Sequence, residues 1–291
     1  MIRIGYLGPK GTFSELAALG YLQRRGIDLS DVEQVQAKSI AELFEMVQDT
    51  YDLVFVPVEN SIEGPVLITQ DLLVVTPNVQ IEEEFSIPIV NQLLVLPGVD
   101  WRHITDVISH PQPIGQCRQF FENNFSIVPK FHFSDSTATA AGFVAEGKPI
   151  VKGVDPRKTS AIGSDRLAEL YGLEIAQSSI QDSVTNRTRF WVLSRSRSAP
   201  TGNDKTTIIF STLRDTPGGL VEILGELSSR GINLTSISSR PTKAVLGEYL
   251  FFVDLLGHCD DLDVKSALDS VRQKASFFKL VGSYRVSEES L

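Results

Sequence analysis

Four separated runs of the chain hold side chains suited to gripping a small anion. Gly8-Pro9-Lys10-Gly11-Thr12-Phe13-Ser14-Glu15 sits between an apolar segment and a helix-like one. Backbone N–H groups at a helix start bind anions, and glycine lets a ligand approach closely. The same run also reads as a tight turn with Thr12 as N-cap. Val56-Pro57-Val58-Glu59-Asn60-Ser61-Ile62-Glu63-Gly64 follows an apolar strand-like segment. Glu59 and Asn60 then stand at a strand end, where open α/β sheets bind ligands. Ser109-His110-Pro111-Gln112 continues to Gln116 and Cys117. Ser109 and Gln116 are the preferred hydrogen-bonding groups there, since a lone His110 is more often structural than an acid or base. Asn186-Arg187-Thr188-Arg189-Phe190 offers a neutral donor beside a fixed cation, a pair useful against a carboxylate. Strand alternation puts Thr188 and Phe190 on one face and Arg189 on the other.

These runs need elements to hold them. Apolar residues at 2–7, 32–37 and 53–58 read as strands, with helices at 13–25 and 40–48 between them. Ser39 and Glu42 make a capping box for the second helix. The order β-α-β-α-β is that of a parallel sheet covered by helices. The pattern restarts near Val79, with strands expected near 107–109 and 128–133, helices near 116–123, 137–146 and 165–171, and a strand at 189–193. Two α/β lobes around a cleft are the natural reading. Residues 195–204 are a polar linker. Beyond it, strands at 206–213, 234–239, 249–255 and 278–285 and helices at 220–230 and 262–275 follow the ferredoxin-like β-α-β-β-α-β order.

Composition narrows the function. The formal net charge is −9, which disfavours nucleic acid and anionic membranes as partners. Cys117 and Cys259 are the only cysteines and show no metal-ligand spacing, so no metal and no other cofactor is expected. No secretory leader is read at the N-terminus and no apolar run approaches a membrane span, so the expected location is cytoplasmic.

Taken together and in order, the runs carry a resemblance. The chain resembles the prephenate dehydratase family through Gly-Pro-x-Gly-Thr-Phe-Ser-Glu at 8–15, Pro-Val-Glu-Asn-Ser at 57–61, Ser-His-Pro-Gln with Gln-Cys at 109–117, Asp135-Ser136-Thr137-Ala138, and Thr-Arg-Phe at 188–190. Its C-terminal unit resembles an ACT domain, a small amino-acid sensor. The resemblance implies a type II periplasmic-binding-protein-like catalytic part over 1–194 and an ACT domain over 205–291. It is the resemblance that implies the return of 180–194 from the second lobe (79–179) to the first (about 1–78). It implies loss of carbon dioxide and hydroxide from prephenate to give phenylpyruvate, with Thr188 catalytic. Asn60, Ser109 and Gln116 are implied as substrate contacts, with Glu59, Thr12, Arg189 and Phe190 nearby.

The resemblance further implies L-phenylalanine as allosteric inhibitor, bound between two ACT domains of a homodimer or homotetramer. The effector residues are then Gly218, Gly219, Leu220 and Val221, with Asn233, Leu234, Thr235 and Ser236. Ser238-Ser239-Arg240-Pro241 stands where the family has Glu-Ser-Arg-Pro. Ser238 therefore removes a charge from the regulatory motif. Two alternatives share these features: an arogenate dehydratase, and an amino-acid sensor without turnover.

Overall fold

The computed structural model describes residues 1–149, 154–212, 217–242 and 248–286. The strand expected at 206–213 falls partly outside them, at 213.

The chain opens as a β-α-β-α-β unit. β1 (Ile2–Leu7), α1 (Phe13–Arg24), β2 (Val32–Ala37), α2 (Ile40–Asp49) and β3 (Leu53–Asn60) follow in order, with β1 parallel to both β2 and β3. Ser39 Oγ accepts the Glu42 N–H at 3.1 Å, and the Glu42 carboxylate accepts the Lys38 N–H at 2.6 Å. The capping box is present, with its return bond one residue upstream.

β4 (Gly64–Pro65), α3 (Leu67–Val75) and β5 (Gln80–Pro88) come next. Periodicity predicts neither α3 nor β5, and β5 corrects the lobe boundary. The second lobe does not begin at 79, because β5 lies in the sheet of the first. Buried carboxylates disguise the strand. Glu83 is enclosed against Arg24 at 3.2 Å and Arg25 at 2.6 Å. Glu84 is enclosed against Arg189 at 3.0 Å and Lys205 at 2.7 Å. Glutamate is depleted in strands and almost never buried unless paired, and these partners are distant in sequence.

The chain crosses after Pro88 into β6 (Gln92–Val95), β7 (Asp106–Ser109), α4 (Pro111–Gln116), α5 (Arg118–Asn124), β8 (Lys130–Phe133), α6 (Thr137–Ala145), β9 (Thr159–Gly163), α7 (Asp165–Tyr171) and β10 (Glu174–Gln177). The five-stranded sheet runs β10-β6-β9-β7-β8. Leu94, Ala141 and Leu167 join one face to α6 and α7, while Val107, Ile114 and Phe121 join the other to α4 and α5. The two crossings lie side by side, with Ile180 N–H on the Asn91 carbonyl and Ile89 N–H on the Asn186 carbonyl, both at 2.9 Å.

β11 (Arg187–Ser194) returns to the first lobe and pairs antiparallel with β3 and β5. β12 (Asp204–Thr212), α8 (Gly219–Ser228), β13 (Leu234–Pro241), β14 (Tyr249–Leu256), α9 (Leu262–Lys274) and β15 (Ala275–Val286) form the ferredoxin-like unit, in sheet order β13-β14-β12-β15. β15 then adds in parallel to β5 through Arg285 opposite Glu83 and Val286 opposite Glu84. One ten-stranded sheet therefore spans the C-terminal unit and the first lobe. Their core is shared: Ile209, Phe252, Val281 and Tyr284 sit in one buried cluster with Leu43, Val56, Leu73 and Trp191.

Gly282 permits this junction. A Cβ there would lie 2.7 Å from the Ile81 carbonyl oxygen and 2.8 Å from its nitrogen, against backbone that cannot rotate away. Gly282→Ala is expected to lower stability by about 1–3 kcal/mol, read as a reduced denaturant midpoint. An unchanged midpoint would mean that the two sheets part at no cost.

Candidate active site

β11 and β3 set Thr188 directly opposite Asn60. Asn60 Nδ2 donates to Thr188 Oγ1 at 3.0 Å and to Asn186 Oδ1 at 2.8 Å. The amide cannot turn around, because Asn60 Oδ1 accepts the Ile62 and Glu63 N–H groups, each at 3.0 Å. Its NH2 must face Thr188. Asn186 Nδ2 donates to Gln116 Oε1 at 3.0 Å, and Gln116 Nε2 donates to Glu63 Oε1 at 3.3 Å. Asn60, Asn186, Gln116 and Glu63 thus close a ring of hydrogen bonds. Gln116 belongs to the second lobe and the others to the first lobe and its crossing, so the ring straddles the cleft. Asn60, Gln116 and Asn186 are buried. A buried amide left without a partner costs about 1–3 kcal/mol, which favours the closed ring.

Beside the ring lies a cavity of about 560 Å³, lined by Asn60, Glu63, Val66, His110, Gln112 and the intervening turns. That is ample for a small organic acid. Asn60 is the donor to Thr188, so the Thr188 hydroxyl keeps its own proton for a second partner.

Several expected contacts take other roles. Ser109 is fully buried and donates to the Ile162 carbonyl at 2.8 Å, tying β7 to β9. It is not placed to touch a ligand, whereas His110 beside it lines the cavity. His110 Nδ1 accepts the Gln112 N–H at 3.3 Å, so the neutral ring carries its proton on Nε2. Phe190 shares the face of Thr188 but is packed into the core beside Phe85, at a ring separation of 6.1 Å. Thr12 donates back to the Leu7 carbonyl at 3.1 Å. The Gly11 N–H is taken by Glu15 at 2.6 Å, so this part of the turn closes on internal acceptors. Gly11, with φ +84°, instead meets the second lobe, where a Cβ would lie 2.1 Å from Leu167 and where Ser164 Oγ donates to its carbonyl at 2.8 Å.

Arg189 takes the opposite face, as alternation predicts, and both of its terminal nitrogens meet carboxylates there. Its guanidinium meets Glu84 and Asp254 at 3.0 Å each and Glu59 at 3.1 Å. Arg189 therefore joins β11 to the C-terminal unit through Asp254, with Glu59 of β3 paired to it, and neither residue lines the cavity as Asn60 does. Burial acts to lower the Arg189 pKa, but Glu84 and Asp254 outweigh it and hold the pKa above its usual range. Burial likewise acts to raise the Glu84 pKa, but Arg189 and Lys205 hold it below the ordinary 4.5. Asn186 and Glu63 lie inside the quoted runs but carry no signal of type or spacing that marks them.

In the C-terminal unit, Asn233 lines a cavity of about 420 Å³ with Arg230, Ile232, Leu256 and Leu262. Leu234 packs against the local core and Thr235 donates to the Asp254 carbonyl at 3.3 Å. Ser236 stands opposite Asp254 in the sheet. Gly218, with φ +89°, starts α8 ahead of Gly219 and Leu220, and Val221 is exposed. Residues 218–221 do not line the Asn233 cavity.

His258, Cys259 and Asp260 have ligand atoms within 4.8 Å of one another. His258 Nδ1 accepts the Asp260 N–H at 3.1 Å and its Nε2 lies 3.1 Å from the Ser198 carbonyl. That pattern puts the proton on Nε2 and leaves the ring no lone pair for a metal. Among the described residues, no helix is long and apolar enough to cross a membrane.

Two outcomes follow from this geometry. Asn186→Ala removes the donor to Gln116 Oε1 and one of the acceptors of Asn60 Nδ2, which keeps Thr188 and the Arg187 carbonyl. It is expected to lower kcat about 10- to 100-fold by steady-state assay, because Gln116 of the second lobe is no longer joined to Asn60 and the cleft closes less well. Arg189→Met takes one cation from Glu84, which keeps Lys205 and the Trp191 N–H, and takes from Asp254 its arginine, leaving the Thr207 hydroxyl. It is expected to cost about 1–3 kcal/mol at neutral pH by denaturant unfolding. The stabilisation from ionised Glu84 is present above pH 4.5 and lost as pH falls through its depressed folded value, so the deficit should shrink on acidification.

Comparison with known proteins shows the family. The family model described as prephenate dehydratase matches residues 4–198, and that of the ACT domain matches 206–273. The chain is 38% identical to the prephenate dehydratase of Methanocaldococcus jannaschii over 97% of each chain. It is 33% identical to that of Bacillus subtilis over 98% of this chain and 99% of the relative. The crystal structure of prephenate dehydratase from Arthrobacter aurescens in complex with L-Phe superposes with a TM-score of 0.85 at 31% identity, covering 98% of this chain and 90% of that one. With matched motifs, a matched two-lobe fold and an appended sensor unit, the chain belongs to the prephenate dehydratase family.

Proposed function

We infer that this chain is a hydro-lyase that converts prephenate to phenylpyruvate, carbon dioxide and water under feedback by L-phenylalanine. The observation that carries the reading is the Thr188 hydroxyl held by Asn60 at a two-lobe cleft, in a chain related to prephenate dehydratases over nearly its whole length.

The reaction makes a ring aromatic. The carbon–carboxylate bond breaks, carbon dioxide leaves, and its electron pair enters the ring. The bond to the 4-hydroxyl breaks as the ring aromatises, and the departing oxygen takes a proton to leave as water. Aromatisation supplies the driving force, and the barrier lies in charge gathering on that oxygen. A donor already in place stabilises the charge without reorganising, worth about 3 kcal/mol. Thr188 is assigned that donor role, with Asn60 holding its oxygen. Proton delivery can run through the threonine or through a water that it orients. Arg189 is committed elsewhere, so we assign the pyruvyl carboxylate to the Nε2–H of His110, which lines the cavity. Gln116 closes the cleft from the second lobe and excludes water.

Phenylalanine feedback rests on the ACT match and on the L-Phe complex of the Arthrobacter aurescens relative. Residues 218–221 and 233–236 lie apart in one chain. We propose that a second copy brings its 218–221 run to the first copy's Asn233, making the regulated form at least a dimer. Both cysteines are buried and unpaired, which fits a reducing cytoplasm.

The test is phenylpyruvate formation from prephenate, with and without phenylalanine, with arogenate in parallel. Turnover of arogenate alone would move the assignment to that substrate, and no turnover with phenylalanine still bound would leave only a sensor. Thr188→Ala is expected to lower kcat about 10²- to 10³-fold with an unchanged circular-dichroism spectrum, and Thr188→Ser to retain most activity. Near-normal turnover of the alanine variant removes Thr188 from the mechanism.

A further inference from the structure

We propose that α3 is the element through which the ACT domain sets the wall of the catalytic cleft, with Asp71 and Arg240 as its positioning pair. The regulatory half of this inference rests on the phenylalanine reading above, whereas the mechanical half does not.

One end of α3 is built into the site. The residues leading into it, Glu63, Gly64, Pro65 and Val66, line the 560 Å³ cavity, and Glu63 closes the amide ring. The Val66 N–H donates to the Val58 carbonyl and Thr69 Oγ1 donates to the Pro57 carbonyl, each at 2.7 Å. Those bonds tie the start of α3 to β3, the strand that carries Asn60. A displacement of α3 therefore moves the cleft wall and loads the strand holding the catalytic amide.

The opposite side of α3 is gripped by the ACT domain. Arg240 Nη2 donates to both Asp71 oxygens, at 2.8 and 3.0 Å, and its Nε donates to Oδ1 at 3.3 Å, so two guanidinium nitrogens hold the carboxylate. Gln70 Nε2 donates to Ser238 Oγ at 3.2 Å. Lys279 on β15 donates to the Leu73 carbonyl at 2.6 Å and also to that of Thr76, closing the C-terminal end of the helix. Ser238 and Arg240 stand on β13, the outermost strand of the sheet, immediately after residues 233–236. A shift of β13 on effector binding is handed to α3 with no intervening loop.

Gln70 itself is enclosed at the joint, 7% exposed. The joint thus has the form that allosteric coupling needs, an element whose position both sites bias.

The experiment uses the full chain with Asp71→Asn, which keeps side-chain shape and removes the charge. Basal kcat should stay near wild type. Residual activity at saturating phenylalanine should rise about tenfold, while calorimetry still detects phenylalanine binding. The charge swap Asp71→Arg with Arg240→Asp should restore inhibition, which a merely misfolded helix would not. Hydrogen exchange without ligand gives an independent readout: in Asp71→Asn, residues 61–66 should exchange faster along with 67–76. Wild-type inhibition together with unchanged exchange at 61–66 overturns the proposal. If the wild-type chain binds no phenylalanine, the feedback reading falls by itself. The positioning role is then decided by the ligand-free exchange, and unchanged exchange at 61–66 sinks it.

Discussion

Thr188 and Asn60 face each other because β11 runs back antiparallel beside β3 after the chain has built a whole second lobe. Everything at the site depends on that pairing. The ladder aligns Thr188 with Asn60 and Arg189 with Glu59, and it sends alternate side chains to opposite faces. Thr188 goes to the cleft side and Arg189 to the ACT side. A slip of one residue would exchange them, burying a hydroxyl among carboxylates and aiming a guanidinium at the aromatic core. The ion pairs of Arg189 with Glu84 and Asp254 penalise that slip, so they hold the register as well as the domain contact.

The chemistry of the site follows from a shortage of free charge. The protein is acidic, and the guanidinium of Arg189, next to Thr188 in sequence, is already neutralised by carboxylates on the other face of the strand. What remains is a set of neutral amides, joined by the Glu63 carboxylate, whose orientations are dictated by backbone donors and by one another. Such dipoles are set before the reaction begins, and they suit a step in which charge appears only as a bond breaks. Ring closure also ties catalysis to lobe closure, because Gln116 arrives from the second lobe. Opening the cleft would leave buried amides unpaired.

The ACT domain is continuous with the catalytic part in two senses. Its sheet extends the sheet of the first lobe, and its apolar face shares a core with α2, α3 and β11. Close-packed interiors transmit displacement because they compress little. A regulator attached this way acts on the shape of the cleft through packed elements, without reaching the substrate.

Much of this protein is legible in its residues. The β-α-β-α-β opening and the ferredoxin-like unit come from local pattern, while the return to the first lobe and the importance of 57–61, 109–117 and 188–190 come from the family resemblance that the motif order carries. Hydrophobic periodicity and turn chemistry are local properties, so one strand of text carries them. Tertiary structure decided what has no local signature. Glu83 and Glu84 sit in a core strand because arginines and a lysine from other elements neutralise them. Arg189 is a strut and Ser109 a tie because their partners, Asp254 and Ile162, come from other strands. Asn186 is central because Asn60 and Gln116 converge on it from separate lobes. Residue type sets what a side chain can donate or accept, and only the fold determines which partner it meets.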